Sequence, residues 1–143
     1  MIKYLTFILS FLLFTGIAAL ANVRKVGANQ SFHSIQQAIN ASQNGDTILV
    51  DQGIYKEKNI TVNKSIVLIG NSYPVLDGEH KYEIISVKAN GVTIKGFKLI
   101  HSGVSSMTDF AGIKIYENKN VTISGNILED TFFGIYLQKA TDC

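Results

Sequence analysis

The stretch "NGVTIKGFKLI" occupies residues 90–100, and "NKNVTISGNILE" follows at residues 118–129. These are two variants of one phrase, and an earlier copy reads "SIVLIGN" at residues 65–71. Aligning the three puts Ile66, Val92 and Val121 at equivalent positions, with spacings of 26 and 29. A second register aligns "GIKIYE" with "GIYLQ", Gly112 and Gly134 being 22 apart. A period in the twenties built from short strands is the signature of stacked coils, in which each strand pairs with its copy one rung later. The pattern predicts an all-β fold, a parallel β-helix.

The chemistry of the phrase follows from that geometry. Side chains alternate along a strand, so Val92, Ile94, Val121 and Ile123 are expected to point inward and stack, while Thr93, Lys95, Thr122 and Ser124 face solvent. Gly96 and Gly125 are expected to allow the sharp bend that follows. Asn126, like Asn71 in the earlier copy, is placed to tie that bend to turn backbone or to a neighbouring rung. Phe97 interrupts this asparagine column, and the stack there is expected to turn aromatic. The sole proline, Pro74, falls between strands, where its missing N–H does no harm.

Around these copies the chain keeps the same grammar. "TILV" (47–50), "NITV" (59–62), "SIVLIG" (65–70), "EIISV" (83–87), "AGIKIYE" (111–117) and "GIYLQ" (134–138) are β-branched, alternating and bounded by turn residues. The connections are too short for crossover helices, which excludes a doubly wound α/β fold. One helix is predicted over about residues 33–43, with Ser31 or Ser34 as its cap, Ile35, Ala38, Ile39 and Ala41 on one side, and Asn44-Gly45 closing it. It is expected to lie across the first coil and cover its open core. The segment "LQKATDC" carries no such cover, so the repeat domain reads as incomplete at its C-terminal end, continued by further coils or covered by a partner.

Residues 1–21 read as an export signal: Lys3 is the positive start, Leu5 to Phe14 the apolar run, and Ala19-Leu20-Ala21 the cleavage pattern. The repeat domain then covers 22–143, and no later segment reaches the ~20 apolar residues of a membrane span. Without Lys3 the domain has 12 basic and 11 acidic side chains, a net charge of +1, with no basic stripe for nucleic acid. Cys143 is the only cysteine, so no internal disulfide forms and packing with backbone hydrogen bonding must supply the stability.

The run "SFHSIQQAINASQNGDTILVDQGIYKEKNITVNKSIVLIGNSYPVLDG" (31–78), followed by "GVTIKGFKLIHSG", "DFAGIKIYE" and "NVTISGN", resembles the NosD family of nitrous-oxide reductase maturation proteins. The likeness covers residues 26–138. It implies a right-handed parallel β-helix of the pectin-lyase-like kind, a handedness that parallel crossovers also prefer. It also implies a periplasmic accessory protein, not itself an enzyme, that helps assemble the copper-sulfide site of nitrous-oxide reductase. The partners implied are that reductase and its maturation transporter, and the cargo is copper or sulfur. No ligand motif is carried over with the likeness. Pectin methylesterases share a similar opening, which keeps a secreted lyase, esterase or hydrolase acting on polysaccharide as the alternative.

Copper(I) prefers thiolate, thioether and imidazole. His101 and Met107 lie in the inserted loop "HSGVSSM" and are the candidate metal residues, although the plainer reading makes His101 an outward polar residue and Met107 an apolar loop contact. His33, His80 and Cys143 complete the inventory, and no paired ligand motif such as His-x-x-His or Cys-x-x-Cys is present. Sugar chemistry would need acids gathered on one face, and Asp109, Glu117, Glu129 and Asp130 are available for that. Glu57 and Asp77 read as turn formers.

Overall fold

The computed structural model describes residues 21–105 and 107–143; the expected export signal therefore falls outside the described residues except for Ala21. The chain winds through about five turns of a parallel β-solenoid. Its first turn holds β1 (Val23–Val26) and the helix α1 (Ile35–Ala41). The second holds β2 (Thr47–Val50), β3 (Ile54–Tyr55) and β4 (Ile60–Val62), and the third β5 (Val67–Gly70), β6 (Val75–Asp77) and β7 (Ile85–Val87). The fourth holds β8 (Thr93–Lys95), β9 (Lys98–Ile100) and β10 (Ala111–Tyr116), and the fifth β11 (Thr122–Ser124), β12 (Ile127–Glu129) and β13 (Phe133–Gln138).

Each strand pairs in parallel with its equivalent one turn away, giving three sheets in the orders β1-β2-β5-β8-β11, β3-β6-β9-β12 and β4-β7-β10-β13. The register turns the repeat phrase into ladders. In the first sheet Ile48, Leu68, Ile94 and Ile123 stand one above another. Tyr55, Leu76, Leu99 and Leu128 do so in the second, and Ile60, Ile85, Ile113 and Ile135 in the third. Most of these aliphatic rungs are fully buried, each contributing about 2 kcal/mol by removal from water. Thr93 and Lys95 alternate outward as the period of two requires.

The second sheet is the part that the sequence patterns missed. Its strands have two or three residues, "IY", "VLD", "KLI" and "ILE", too few to display an alternation. Phe97 also departs from expectation: it is fully buried within the aliphatic cluster, with no aromatic stack around it among the described residues. The asparagine column is real only where Asn126 stands. Its Oδ1 accepts from Phe97 N at 3.0 Å and its Nδ2 donates to Ile94 O at 3.0 Å, tying the fifth turn to the fourth. Asn71 is exposed and its side chain receives only Ser72 Oγ at 3.5 Å.

Helix α1 is shorter than its apolar pattern predicts but does the expected job, burying Ile35, Ala38 and Ile39 against the first turns. It is held from outside. Ser34 is the N-cap, and the Glu57 carboxylate accepts from Ile35 N at 2.6 Å, Gln36 N at 2.9 Å and Ser34 Oγ at 2.8 Å. At the other end Lys64 Nζ donates to the carbonyls of Ile39, Asn40 and Ser42 at 2.9, 2.7 and 2.6 Å. Glu57 is thus a capping ligand for a neighbouring turn, not simply a turn former.

Candidate functional site

Two clusters of polar side chains stand out on the outside of the stack. The first surrounds Glu83, just before β7. The residue is 4% exposed, and its carboxylate accepts from Tyr116 Oη at 3.1 Å on each oxygen and from Ser86 Oγ. Asn59 Nδ2 closes the group by donating to Ser86 Oγ at 2.7 Å and Glu83 O at 3.1 Å. These residues come from three successive turns, because β4, β7 and β10 are neighbours in one sheet.

Cations border the same cluster. Lys114, almost wholly buried along its length, places Nζ 4.8 Å from the centre of the Tyr116 ring and 5.0 Å from that of Tyr136. Lys88 lies 5.1 Å from the Tyr116 ring. Burial and the Glu83 charge push the Tyr116 hydroxyl up to about 12, so it remains a proton donor. Beside it opens a cavity of about 230 Å³ walled by Tyr82, Phe110, Tyr116, Lys81 and Lys88. Among the described residues no buried side-chain polar atom lacks a hydrogen-bond partner. Glu83 is accordingly spent on holding three turns together, and nothing in the local sequence announces it: the residue opens "EIISV", an ordinary strand phrase.

The second cluster lies at the corner that follows the second sheet. His101 Nδ1 is 3.0 Å from Asp77 Oδ1, and the rings of His101 and His80 have centroids 4.5 Å apart. Asp130 Oδ2 sits 3.9 Å from Nε2 of each histidine. Burial of Asp77 acts to raise its carboxyl, but Glu79 N at 2.9 Å and His101 outweigh it and hold the group below the ordinary carboxylate value.

Of the two metal candidates, His101 is therefore in a cluster with His80 and Asp130, while Met107 projects into solvent at 94% exposure. The donors gathered around His101 are imidazole nitrogen and carboxylate oxygen, and no thiolate is among them. His33 approaches Gly27 O through Nδ1 at 3.0 Å, and Cys143 is exposed.

The acids considered for sugar chemistry are dispersed. Asp109 and Glu117 flank opposite ends of β10, about 25 Å of extended chain apart. Glu117 is 3.4 Å from Lys139 Nζ, and Glu129 is 2.7 Å from Lys98 Nζ, which holds its carboxyl below the usual value.

A cell surface glycoprotein of Methanothermus fervidus is 33% identical to this chain over 121 residues. The match takes in 82% of the chain and 19% of the glycoprotein, so the chain spans about a fifth of that relative. No protein-family profile matches the chain, and no solved structure does. The parallel sheets are those of a β-helix protein. Among the described residues no helix is long and apolar enough to cross a membrane.

Proposed function

We propose that the chain is an exported β-solenoid of the cell surface that serves as a scaffold or docking module, without catalysis of its own. One observation carries this reading: several polar groups of the outer faces pair with one another across turns, as in Glu83–Tyr116, Lys98–Glu129 and Glu117–Lys139. A rigid ladder surface of this kind suits protein docking. The surface relative supports the location, and four exposed asparagines in Asn-x-Ser/Thr sequences suit a surface of the kind that a glycoprotein has. Asn29, Asn40, Asn63 and Asn120 are exposed, whereas the fifth, Asn59, uses its amide nitrogen on Ser86 and Glu83. Labelling intact cells with a membrane-impermeant amine reagent tests the reading. Modification of exposed lysines such as Lys25 and Lys58 before lysis is expected, and labelling only after lysis would overturn it.

A second, finer reading is favoured by the ordered phrases from "SIQQAINAS" through "NVTISGN": accessory work in maturation of the copper-sulfide site of nitrous-oxide reductase, with that enzyme and its transporter as partners and copper or sulfur as cargo. An anaerobic copper(I) titration against a chromogenic competitor separates the two cargoes. Stoichiometric tight binding supports direct copper handling; its absence leaves this reading only a sulfur or partner-docking form.

A further inference from the structure

We propose that His80, His101 and Asp130 form a binding site for a divalent ion of the zinc class at one corner of the stack. The inference goes beyond the scaffold reading and stands or falls apart from it.

The solenoid itself brings these residues together. Asp77 pairs with Ile100, and Ile100 with Glu129, so the residues just after β6, β9 and β12 form one column along the corner. His101 and Asp130 are successive members of that column, and His80 reaches it from the turn below. All three have left-handed backbone, with φ of 57°, 55° and 50°; His101 and Asp130 repeat one bend on successive rungs, whereas His80 lies in its own turn two residues beyond the equivalent Gly78. A distance of 21 residues from His80 to His101 and 29 from His101 to Asp130 in sequence thus becomes direct juxtaposition.

The facing atoms are those a metal uses. One ring nitrogen from each histidine and an oxygen of Asp130 lie within 4.8 Å of one another, and Nε2 of each histidine is 3.9 Å from Asp130 Oδ2. The two nitrogen-to-oxygen separations of 3.9 Å exceed a hydrogen bond, leaving a space among three potential donors. Tetrahedral zinc with bonds of about 2.1 Å sets its ligand atoms about 3.4 Å apart, a small contraction for side chains on the surface. Asp77 completes the arrangement: at 3.0 Å its Oδ1 can accept a hydrogen bond from Nδ1–H of His101, fixing the tautomer in which Nε2 carries a free lone pair. Two imidazoles and a carboxylate suit zinc, nickel or copper(II). Lys56, 3.9 Å from Asp77, and Lys98, bound to Glu129, keep those two acids occupied, so Asp130 is the carboxylate left for the ion.

The test is a zinc titration of the folded domain against a chromogenic chelator, with a parallel thermal melt. One ion per chain with micromolar or tighter affinity, and a higher melting temperature with zinc, are expected. His80→Asn, His101→Asn and Asp130→Asn suit the left-handed backbone, which asparagine tolerates, and each should weaken binding at least about tenfold. Asp77→Asn should weaken it by about tenfold through loss of orientation, and His33→Ala should change nothing. Circular dichroism establishes that each variant is folded. Absence of saturable zinc binding to the unaltered protein would overturn the proposal, as would binding that survives all three ligand substitutions.

Discussion

Glu57 and Lys64 lie seven residues apart in the sequence and grip opposite ends of the same helix, α1. The carboxylate meets the free N–H groups of the first turn, and the ammonium meets the free carbonyls of the last. Both signs match the helix dipole, and both are charge-assisted hydrogen bonds. An isolated helix of seven residues would be marginal in water, so this clamp and the burial of Ile35, Ala38 and Ile39 explain why it forms.

Glu57→Ala should therefore destabilise the domain by about 2–3 kcal/mol, since it strands three donors at a partly buried helix end. Lys64→Met, which keeps the aliphatic stem, should cost about 1–2 kcal/mol. Urea unfolding measures both. A Glu57→Ala midpoint equal to that of the unaltered protein would mean that packing alone holds the cap.

Asp46 fastens the first turn to the second. Its carboxylate accepts from Gln43 N at 3.0 Å, Asn22 N at 2.9 Å and Arg24 Nε at 3.2 Å. The Gln43 and Asn22 amides, with Arg24 adding to them, hold its carboxyl below the ordinary aspartate value against the effect of burial. A depressed carboxylate contributes stability above its unfolded pKa and loses that contribution as pH falls through the folded one. The stability advantage over Asp46→Asn should be largest near neutrality and shrink below about pH 4. Thermal unfolding of both proteins across that range checks it, and a gap constant with pH would refute the assignment.

Tyr116 offers a spectroscopic check on the Glu83 cluster. Its hydroxyl should ionise near pH 12, and Glu83→Gln, which removes the adjacent charge, should move that step toward the ordinary value of 10.0. A folded pKa raised above the unfolded one means stability present below about pH 10 and lost as pH rises through the folded value. Tyr55 and Tyr136 are raised too, so the ultraviolet titration must be taken as the difference from Tyr116→Phe. A Tyr116 step that ignores Glu83→Gln would show that the hydrogen bonds at 3.1 Å do not persist in solution.

The solenoid is legible in the sequence because "VTIKG" and "VTISG" each state a whole rung: inward residue, outward residue, bend. The second sheet is not, since "KLI" and "ILE" are too brief to reveal a period. The clusters are less legible still. Asn59, Ser86 and Tyr116 meet only after the turn lengths are known, and those vary because the "HSGVSSMTDF" insertion lengthens the fourth turn. His101 attracts notice as an imidazole, but its neighbours His80 and Asp130 are fixed by register, a property of the stack that no local window contains. Asp130 looks like a solvated loop acid for the same reason.

The two bend glycines of the repeat should respond differently to the same substitution. Both have left-handed backbone, Gly96 at φ +81° and Gly125 at φ +59°, so alanine at either position carries a conformational penalty of about 1–2 kcal/mol. Their surroundings differ. A Cβ on Gly96 would lie 2.5 Å from Gly70 O on the rung below, a backbone atom that cannot swing aside, whereas one on Gly125 would meet nothing within 4 Å. Overpacking adds about 1–3 kcal/mol, so Gly96→Ala should cost about 2–5 kcal/mol and Gly125→Ala about 1–2 kcal/mol. Urea midpoints for the two variants decide the matter. Equal losses would mean that conformation alone sets the requirement for glycine. A markedly larger loss at Gly96 would show that close approach of successive rungs, about 4.8 Å apart in any parallel ladder, reserves this position for a residue without a side chain.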